Sequence, residues 1–243
     1  MAIPKWTFFS PHILCVAGSP RAWEAEIRCY ASTNKNGEWF EFNEPVPNLA
    51  SFSFDNTVES VTVTGMWILY QEPDYNTQVS GSVFWLDGID FTADVPSQYA
   101  NMASSLRYAG SPFQLNEDSW TMYTGQGFTE DTLYGASDMP SLGRLSADVS
   151  SIILTGTSAW TFYQGESYTG GGVCLRPDTH HHNTLFKSFD VGIFPTSAEF
   201  NLQDNSIRSV RKGCYSEAVA PYNSTTTYFG EYSASGAWGY FHL

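Results

Sequence analysis

Residues 160–170 read WTFYQGESYTG and residues 204–209 read DNSIRS, and these two stretches decide the fold. The first is a short apolar segment that ends in Tyr163 and runs into a polar turn with an aromatic residue and glycine. The second is an Asx-rich loop that ends in Ser209 and opens another apolar segment. Aromatic and β-branched residues on either side of glycine-containing turns indicate short β-strands rather than helices.

The same two marks recur four times along the chain. The apolar segment with its terminal tyrosine reads IRCY, WILY, WTMY and WTFY, ending at Tyr30, Tyr70, Tyr123 and Tyr163. A serine followed four or five residues later by glycine closes each unit, at Ser60, Ser105, Ser151 and Ser209. Two independent marks in a constant order predict four structural repeats. We place them at about residues 26–65, 66–110, 118–156 and 157–213.

The repeats pair into two predicted domains, residues 1–110 and 119–243, with residues 111–118 as the linker and 214–243 as a C-terminal extension. Residues 39–42 and 58–63 alternate with the period of two that half-buried strands show, and no window sustains a helical period. We therefore predict an all-β protein. The side chains expected in its core are Ile27, Trp39, Val61, Val63, Ile68, Ile153, Phe162 and Val210.

In its order of strand, tyrosine, polar turn, glycine and Asx-to-serine loop, the chain resembles the βγ-crystallin superfamily. The fourth repeat is the clearest copy, and the second, from Trp67 to Tyr75, is close to it. The resemblance covers about residues 26–213. It implies two Greek key β-sandwich domains, flanked by an N-terminal arm and an aromatic-rich tail. The irregular insertion at residues 171–200 and the tail resemble non-lens, epidermal differentiation-specific members of the superfamily.

The resemblance also implies calcium binding, at loops where two Asn/Asp residues, two free positions and Ser/Thr precede a final serine. In the family each site joins the loop of one repeat to the hydroxyl of its partner repeat, which suits an ion that prefers oxygen ligands. The four loops here all depart from this pattern, and Arg208 replaces a ligand hydroxyl in the fourth. The candidate combinations are Asp55 and Asn56 with Ser104, Asn101 with Glu59, and Asp204 and Asn205 with Ser150.

We expect at most one weakly bound calcium ion in each domain, with the first domain the better site. Plain Asx turns closed by serine are the alternative interpretation of the same loops. Two further groups of residues leave alternatives open. Cys15–Cys29 with Cys174–Cys214 is one of three disulfide pairings, and four buried free thiols are the other interpretation. His180–His182 could hold zinc or copper, could sense pH, or could belong to an exposed polar loop.

The net charge and the absence of known catalytic motifs argue against several classes of function. With 25 acidic and 11 basic residues and a net charge of −14, the chain does not have the basic patch of a nucleic-acid-binding protein. No apolar stretch reaches the length of a transmembrane helix, and the usual catalytic motifs are absent, so we do not expect an enzyme. A secreted location is favoured slightly over a cytoplasmic one.

The tail, residues 215–243, is rich in aromatic residues. It is interpreted either as a strand pair on the second domain or as an arm that contacts a second copy of the chain or a protein partner. The leading hypothesis for the whole chain is a non-enzymatic structural, stress or secretion-associated protein with weak calcium binding. The alternative is a recognition module of host defence that binds a glycan, a membrane or a pore-forming partner.

Overall fold

The computed structural model describes residues 24–184, 187–220, 229–233 and 238–241. These residues form β-strands and short 3-10 helices and contain no α-helix, as the sequence predicts. The strands of the N-terminal half, residues 24–110, are β1 (Glu26–Ser32), β2 (Asn36–Phe42), β3 (Ser60–Tyr70), β4 (Val83–Asp94) and β5 (Ser105–Ala109).

The strands of the C-terminal half, residues 119–220, are β6 (Ser119–Tyr123), β7 (Thr132–Gly135), β8 (Ser151–Thr155), β9 (Trp160–Tyr163), β10 (Gly172–Leu175), β11 (Asp178–Thr184), β12 (Lys187–Phe194) and β13 (Ser209–Lys212). The tail adds β14 (Phe229–Tyr232) and β15 (Trp238–Phe241). The 3-10 helices are Leu49–Phe52, Pro73–Asn76, Gln126–Phe128, Gly143–Leu145 and Glu166–Tyr168.

Each half is built from two repeats that lend strands to one another. In the N-terminal half, the first part of β3 pairs with β1 and with the end of β4, while the second part pairs with β5 and the start of β4. Val46 of the first repeat crosses over to bridge Leu106 in the second. The C-terminal half repeats this exchange, since β12 pairs with β8 and Met139 bridges Val210. The all-β fold with antiparallel Greek key sheets is therefore confirmed.

A serine fixes the folded hairpin of every repeat. Ser105 is buried, its Oγ donates a hydrogen bond to the Glu72 carbonyl at 2.7 Å, and it accepts one from the Tyr75 backbone N–H at 3.1 Å. The same donor and acceptor pair is made by Ser60, Ser151 and Ser209. A hydroxyl can serve both groups at once, so the serine that closes each repeat in the sequence also satisfies the backbone of its hairpin.

The core prediction holds with one exception. Seven of the eight expected side chains are buried: Ile27, Val61, Val63, Ile68, Ile153, Phe162 and Val210. The prediction that Trp39 is buried is wrong, because its side chain is 53% exposed. It lies on edge strand β2, where the alternation of side chains turns Phe42 inward and Trp39 outward. There it packs on Tyr30, and the Arg28 guanidinium lies 5.7 Å from its ring.

The tail does form a strand pair, but its expected place on the second domain is corrected. Strand β14 pairs with the start of β4 in the N-terminal half, from Phe229 opposite Leu86 to Tyr232 opposite Val83, and β15 pairs with β14. The described stretch up to Ala220 stays with the C-terminal half, where Cys174 exchanges backbone hydrogen bonds with Ala218 and Ala220. The sequence pattern predicts a strand in the tail, but it does not show which distant sheet edge is open to pair with that strand.

Candidate functional site

The four Asx-to-serine loops share one backbone geometry. The second residue of each loop has a left-handed conformation, with φ of 52° at Asn56, 61° at Asn101, 62° at Ala147 and 57° at Asn205. Asparagine tolerates this conformation better than most residues because its short side chain bonds locally. The third loop keeps the geometry although it has alanine there. The loop type is therefore set by the repeat rather than by each loop's own residues.

In the N-terminal half the two loops interlock through their backbones. Asn56 N–H donates to the Ala103 carbonyl at 3.0 Å, and Asn101 N–H donates to the Val58 carbonyl at 2.9 Å. The Asn101 side-chain amide donates to Glu59 Oε1 at 2.8 Å, so these two residues meet as predicted. This contact occupies one oxygen of the Glu59 carboxylate and leaves its second oxygen for another partner.

Asp55 and Ser104 differ in burial at this junction. The Asn56 amide donates to Asp55 Oδ2 at 2.9 Å, and both residues are exposed. Ser104 is buried and follows the carbonyl that Asn56 binds. Among the described residues no hydrogen bond joins the Ser104 hydroxyl to either partner predicted for it. The structure therefore brings the segment of Asp55 and Asn56 close to the segment of Ser104. The side-chain oxygens of the two segments are not joined by a hydrogen bond.

The second loop pair brings its predicted side chains into direct contact. Ser150 Oγ donates to Asn205 Oδ1 at 3.2 Å. The backbones interlock as in the first pair, with Asn205 N–H on the Val149 carbonyl at 3.3 Å and Ala147 N–H on the Ile207 carbonyl at 2.8 Å. Asp204 lies beside them, exposed. A hydroxyl, an amide oxygen, backbone carbonyls and one carboxylate thus lie close together.

These oxygens are the kind of ligand that calcium takes. Within the described residues, no three His, Cys, Asp or Glu side chains cluster closely enough to hold a metal ion. An ion at either loop pair would therefore rely on hydroxyl, amide and carbonyl oxygens, with Asp55 and Glu59 as acidic groups in the first pair and Asp204 in the second. The donor set fits a weak calcium site and does not fit zinc or copper.

The three cysteines within the described residues form one disulfide and one buried thiol. Cys174 and Cys214 form a disulfide, which confirms one of the two predicted pairs. Cys29 is a free, buried thiol, and burial raises its pKa. Its predicted partner Cys15 lies outside the described residues. The proposed metal or pH role of His180–His182 concerns side chains that also lie outside the described part of the chain.

The sequence did not reveal Arg107, which joins the two halves. It extends from β5 and is 5% exposed. Its Nη2 donates to the Phe128 carbonyl at 2.8 Å and its Nη1 to the Glu130 carbonyl at 3.1 Å, both in the turn after β6. The Nε donates to the Tyr70 hydroxyl at 2.7 Å. No carboxylate lies within salt-bridge distance of this guanidinium in the described residues.

Three tyrosine rings surround this cation. The guanidinium carbon lies 5.1 Å from the ring centre of Tyr70, 4.6 Å from that of Tyr75 and 4.8 Å from that of Tyr123. Aromatic faces attract cations and attract them more strongly where water is excluded. Burial raises the pKa of Tyr70 to about 12, although Arg107 acts in the opposite direction. The only sign of this cluster in the sequence is a charge within an otherwise buried strand.

Comparison with known proteins agrees with this geometry. Residues 26–81 match the Beta/Gamma crystallin family model. No curated protein matches the chain. The structure is similar to geodin, a βγ-crystallin from Geodia cydonium, with a TM-score of 0.56 and 19% identity, over 78% of this chain and 99% of geodin.

Two further solved structures are similar to parts of the chain. A βγ-crystallin from an archaeon is 26% identical and covers 40% of this chain and 99% of its own, with a TM-score of 0.33. A βγ-crystallin from Ciona intestinalis is 19% identical and covers 39% of this chain and 98% of its own, with a TM-score of 0.32. The described residues contain no helix long and apolar enough to cross a bilayer. The match in sequence to the Beta/Gamma crystallin family is therefore confined to residues 26–81, and over most of its length the chain is similar to geodin in fold.

Proposed function

We propose that this chain is a non-enzymatic structural protein, of the stress or secretion-associated kind, whose folded state is stabilised by weak calcium binding at its two interlocked loop pairs. The observation that carries the proposal is the contact between Ser150 Oγ and Asn205 Oδ1 across two repeats, within backbones that interlock in both halves. The proposed domains remain residues 1–110 and 119–243. Strands β14 and β15 belong to the second range in sequence but join the sheet of the first.

The first loop pair is the stronger candidate, because Asp55 and Glu59 give it two acidic groups where the second pair has one. The Asn101–Glu59 hydrogen bond competes with metal binding there, which supports a weak affinity. The Cys174–Cys214 disulfide supports a secreted location, since disulfides persist mainly in oxidising compartments.

Calcium should raise the melting temperature, because an ion that binds only the folded state stabilises it by mass action. With a Kd of about 10⁻⁴ M and about 1 mM calcium, one site contributes about 1.4 kcal/mol, or about 3–6 °C for a chain of this size. The measurement is a pair of thermal unfolding curves, in EDTA and in millimolar calcium, with magnesium as the competing ion.

Asp55→Ala is expected to remove most of the calcium-dependent increase, and Asp204→Ala a smaller part. Glu38→Ala is the matched control, because Glu38 is an exposed carboxylate on β2 outside both loop pairs. A melting temperature that does not respond to calcium, or an Asp55→Ala protein that responds like the parent, would rule the calcium proposal out.

A further inference from the structure

A cleft of about 390 Å³ opens where three separate segments of the chain meet. One wall is the loop of residues 76–81 between β3 and β4, and the other is the turn of residues 125–130 between β6 and β7. Tyr232 of β14 completes the lining. The cleft thus lies between the two halves, under the tail, and contains none of the calcium-loop residues.

The walls of the cleft are held by buried groups. Asn76 is buried; its amide donates to the Gly81 carbonyl at 2.8 Å, and its Oδ1 accepts the Glu72 backbone N–H at 2.9 Å. Behind the opposite wall, Arg107 binds the Glu130 carbonyl. Ligand pockets are usually formed before the ligand arrives, and this cleft meets that condition on both sides.

Most of the side chains that line the cleft are neutral hydrogen-bonding groups. They are the amides and hydroxyls of Asn76, Thr77, Gln78, Ser80, Gln126 and Thr129. Of the described residues that line the cleft, Glu130 is the one with a carboxylate, and none is a lysine or an arginine. Such a surface offers both donors and acceptors to a neutral ligand, and it lacks the cations that phosphate or sulfate recognition needs.

Tyr232 and Gln126 are positioned together at the edge of the cleft. The Tyr232 hydroxyl donates to Gln126 Oε1 at 2.9 Å, which leaves the Gln126 amide hydrogens to donate elsewhere. The Tyr232 ring rests on Gly127, where an added Cβ would lie 2.4 Å from the ring. Only glycine permits this approach, so the backbone of the turn holds the ring in place. A fixed tyrosine offers an apolar ring next to a polar group.

We propose that this cleft binds a neutral oligosaccharide, with a ligand of about disaccharide size in contact with Gln126, Gln78 and Tyr232. Its volume is within the range of about 300–1,000 Å³ that small-molecule sites have. The net charge of −14 and the carboxylate of Glu130 disfavour anionic ligands. This binding does not depend on the calcium loops, so the two proposals can fail separately.

The test is binding of the full chain to an immobilised array of neutral, sialylated and sulfated oligosaccharides, followed by titration calorimetry with the neutral sugar that binds best. Gln126→Ala and Gln78→Ala are each expected to weaken binding about fivefold or more, the loss of about one hydrogen bond. Gln78 is exposed, so its replacement leaves the fold intact. Glu166→Ala is the control, at the matching place in the 3-10 helix of the fourth repeat.

Binding of neutral sugars that falls in both glutamine variants and persists in Glu166→Ala and in Asp55→Ala supports the proposal. No binding to any oligosaccharide at millimolar concentration overturns it. So does binding restricted to sialylated or sulfated sugars, or binding that neither glutamine variant reduces.

Discussion

Arg107 holds a positive charge where little water reaches it, and the halves meet around it. Its neighbours are two backbone carbonyls of the C-terminal half, a tyrosine hydroxyl and three aromatic rings. A planar guanidinium can satisfy all of these directions at once, whereas a lysine ammonium cannot. The residue therefore acts as a positioning group for the turn of residues 125–130.

Replacement of Arg107 by lysine should destabilise the protein although the charge is kept. The Phe128 and Glu130 carbonyls and the Tyr70 hydroxyl lose at least two of their three donors, which costs about 1–3 kcal/mol. Arg107→Ala should cost more than Arg107→Lys, because it removes all three donors together with the cation that the tyrosine rings surround, and each lost hydrogen bond costs about 1–3 kcal/mol. The measurement is the free energy of unfolding in urea.

The matched control is Arg144→Lys, because the Arg144–Asp131 ion pair at 2.7 Å is exposed. Exposed pairs contribute about 0–1 kcal/mol, so this variant should unfold like the parent. Equal effects of the two lysine variants would show that Arg107 has no special role between the halves.

Single residues also mark the limit of what sequence alone supplies. Alternation along β2 predicts that Trp39 and Phe40 face opposite sides, but not that β2 is an edge strand, and so Trp39 was assigned to the wrong side. Arg107 was missed because its partners belong to another half of the chain. The local sequence pattern indicates how side chains alternate and where turns occur. Burial, in contrast, depends on neighbours that are distant in sequence.

At the scale of elements, the turn that follows β8 is held by one carboxylate. Asp118 Oδ1 accepts the backbone N–H groups of Thr157 at 2.8 Å and Ser158 at 2.9 Å. Its Oδ2 accepts Lys212 Nζ at 2.8 Å and the Ser158 hydroxyl at 2.7 Å. Burial acts to raise the pKa of Asp118, but the hydrogen bonds from Lys212, Ser158 and Thr157 outweigh it and lower this pKa to about 2.

This carboxylate should make stability depend on pH below neutrality. An unfolded Asp has a pKa of about 3.9, so the contribution of Asp118 is fully present above that pH and is lost as pH falls towards 2. Asp118→Asn should lower the free energy of unfolding at pH 7 by about 1 kcal/mol. The difference from the parent should shrink between pH 4 and pH 2, measured by urea unfolding across about pH 2–7.

Asp131→Asn is the control for this pH series, because it removes an exposed partner of Arg144 and should change stability by less than about 1 kcal/mol. A constant difference between Asp118→Asn and the parent across the acid range would contradict the role given to Asp118.

The elements themselves were largely predictable. The tyrosine and serine marks predict four repeats because Ser60, Ser105, Ser151 and Ser209 each bind the backbone of the hairpin in their own repeat. The paired Asx loops were predictable for the same reason, since loop geometry follows from repeat order. The pairing of β14 was not, because the open edge of β4 leaves no trace near residues 229–232.

At the scale of the molecule, the tail adds a second connection between the two halves, besides the one that Arg107 makes. It adds β14 to the N-terminal half while the Tyr232 hydroxyl binds Gln126 in the C-terminal half. An uncovered edge strand presents free backbone groups to other chains, and β14 covers that edge of β4. The strand fits because Gly230 lies against the Trp85 ring, where an added Cβ would be 2.2 Å from ring carbon Cε2.

Gly230→Val should detach the tail. The branched side chain overlaps the Trp85 ring, a steric cost of about 1–3 kcal/mol, and the edge of β4 becomes available for pairing. We expect a melting temperature lower by several degrees and concentration-dependent self-association, measured by light scattering after size-exclusion chromatography.

Glu231→Val serves as the comparison, because it places the same side chain on the opposite face of β14, where Glu231 is only half-buried. Glu231→Val should self-associate no more than the parent protein does. If both variants behave alike, the fit between Gly230 and Trp85 does not hold the tail.

The position of β14 also affects the order in which the protein can be completed. Leu86 and the other residues at the start of β4 leave the ribosome long before their partner Phe229 and its neighbours exist. During that interval the sheet of the N-terminal half has an open edge, and closing it requires a contact between residues far apart in sequence, a slow kind of step. Nascent chains should therefore depend on chaperones or on rapid release at this stage.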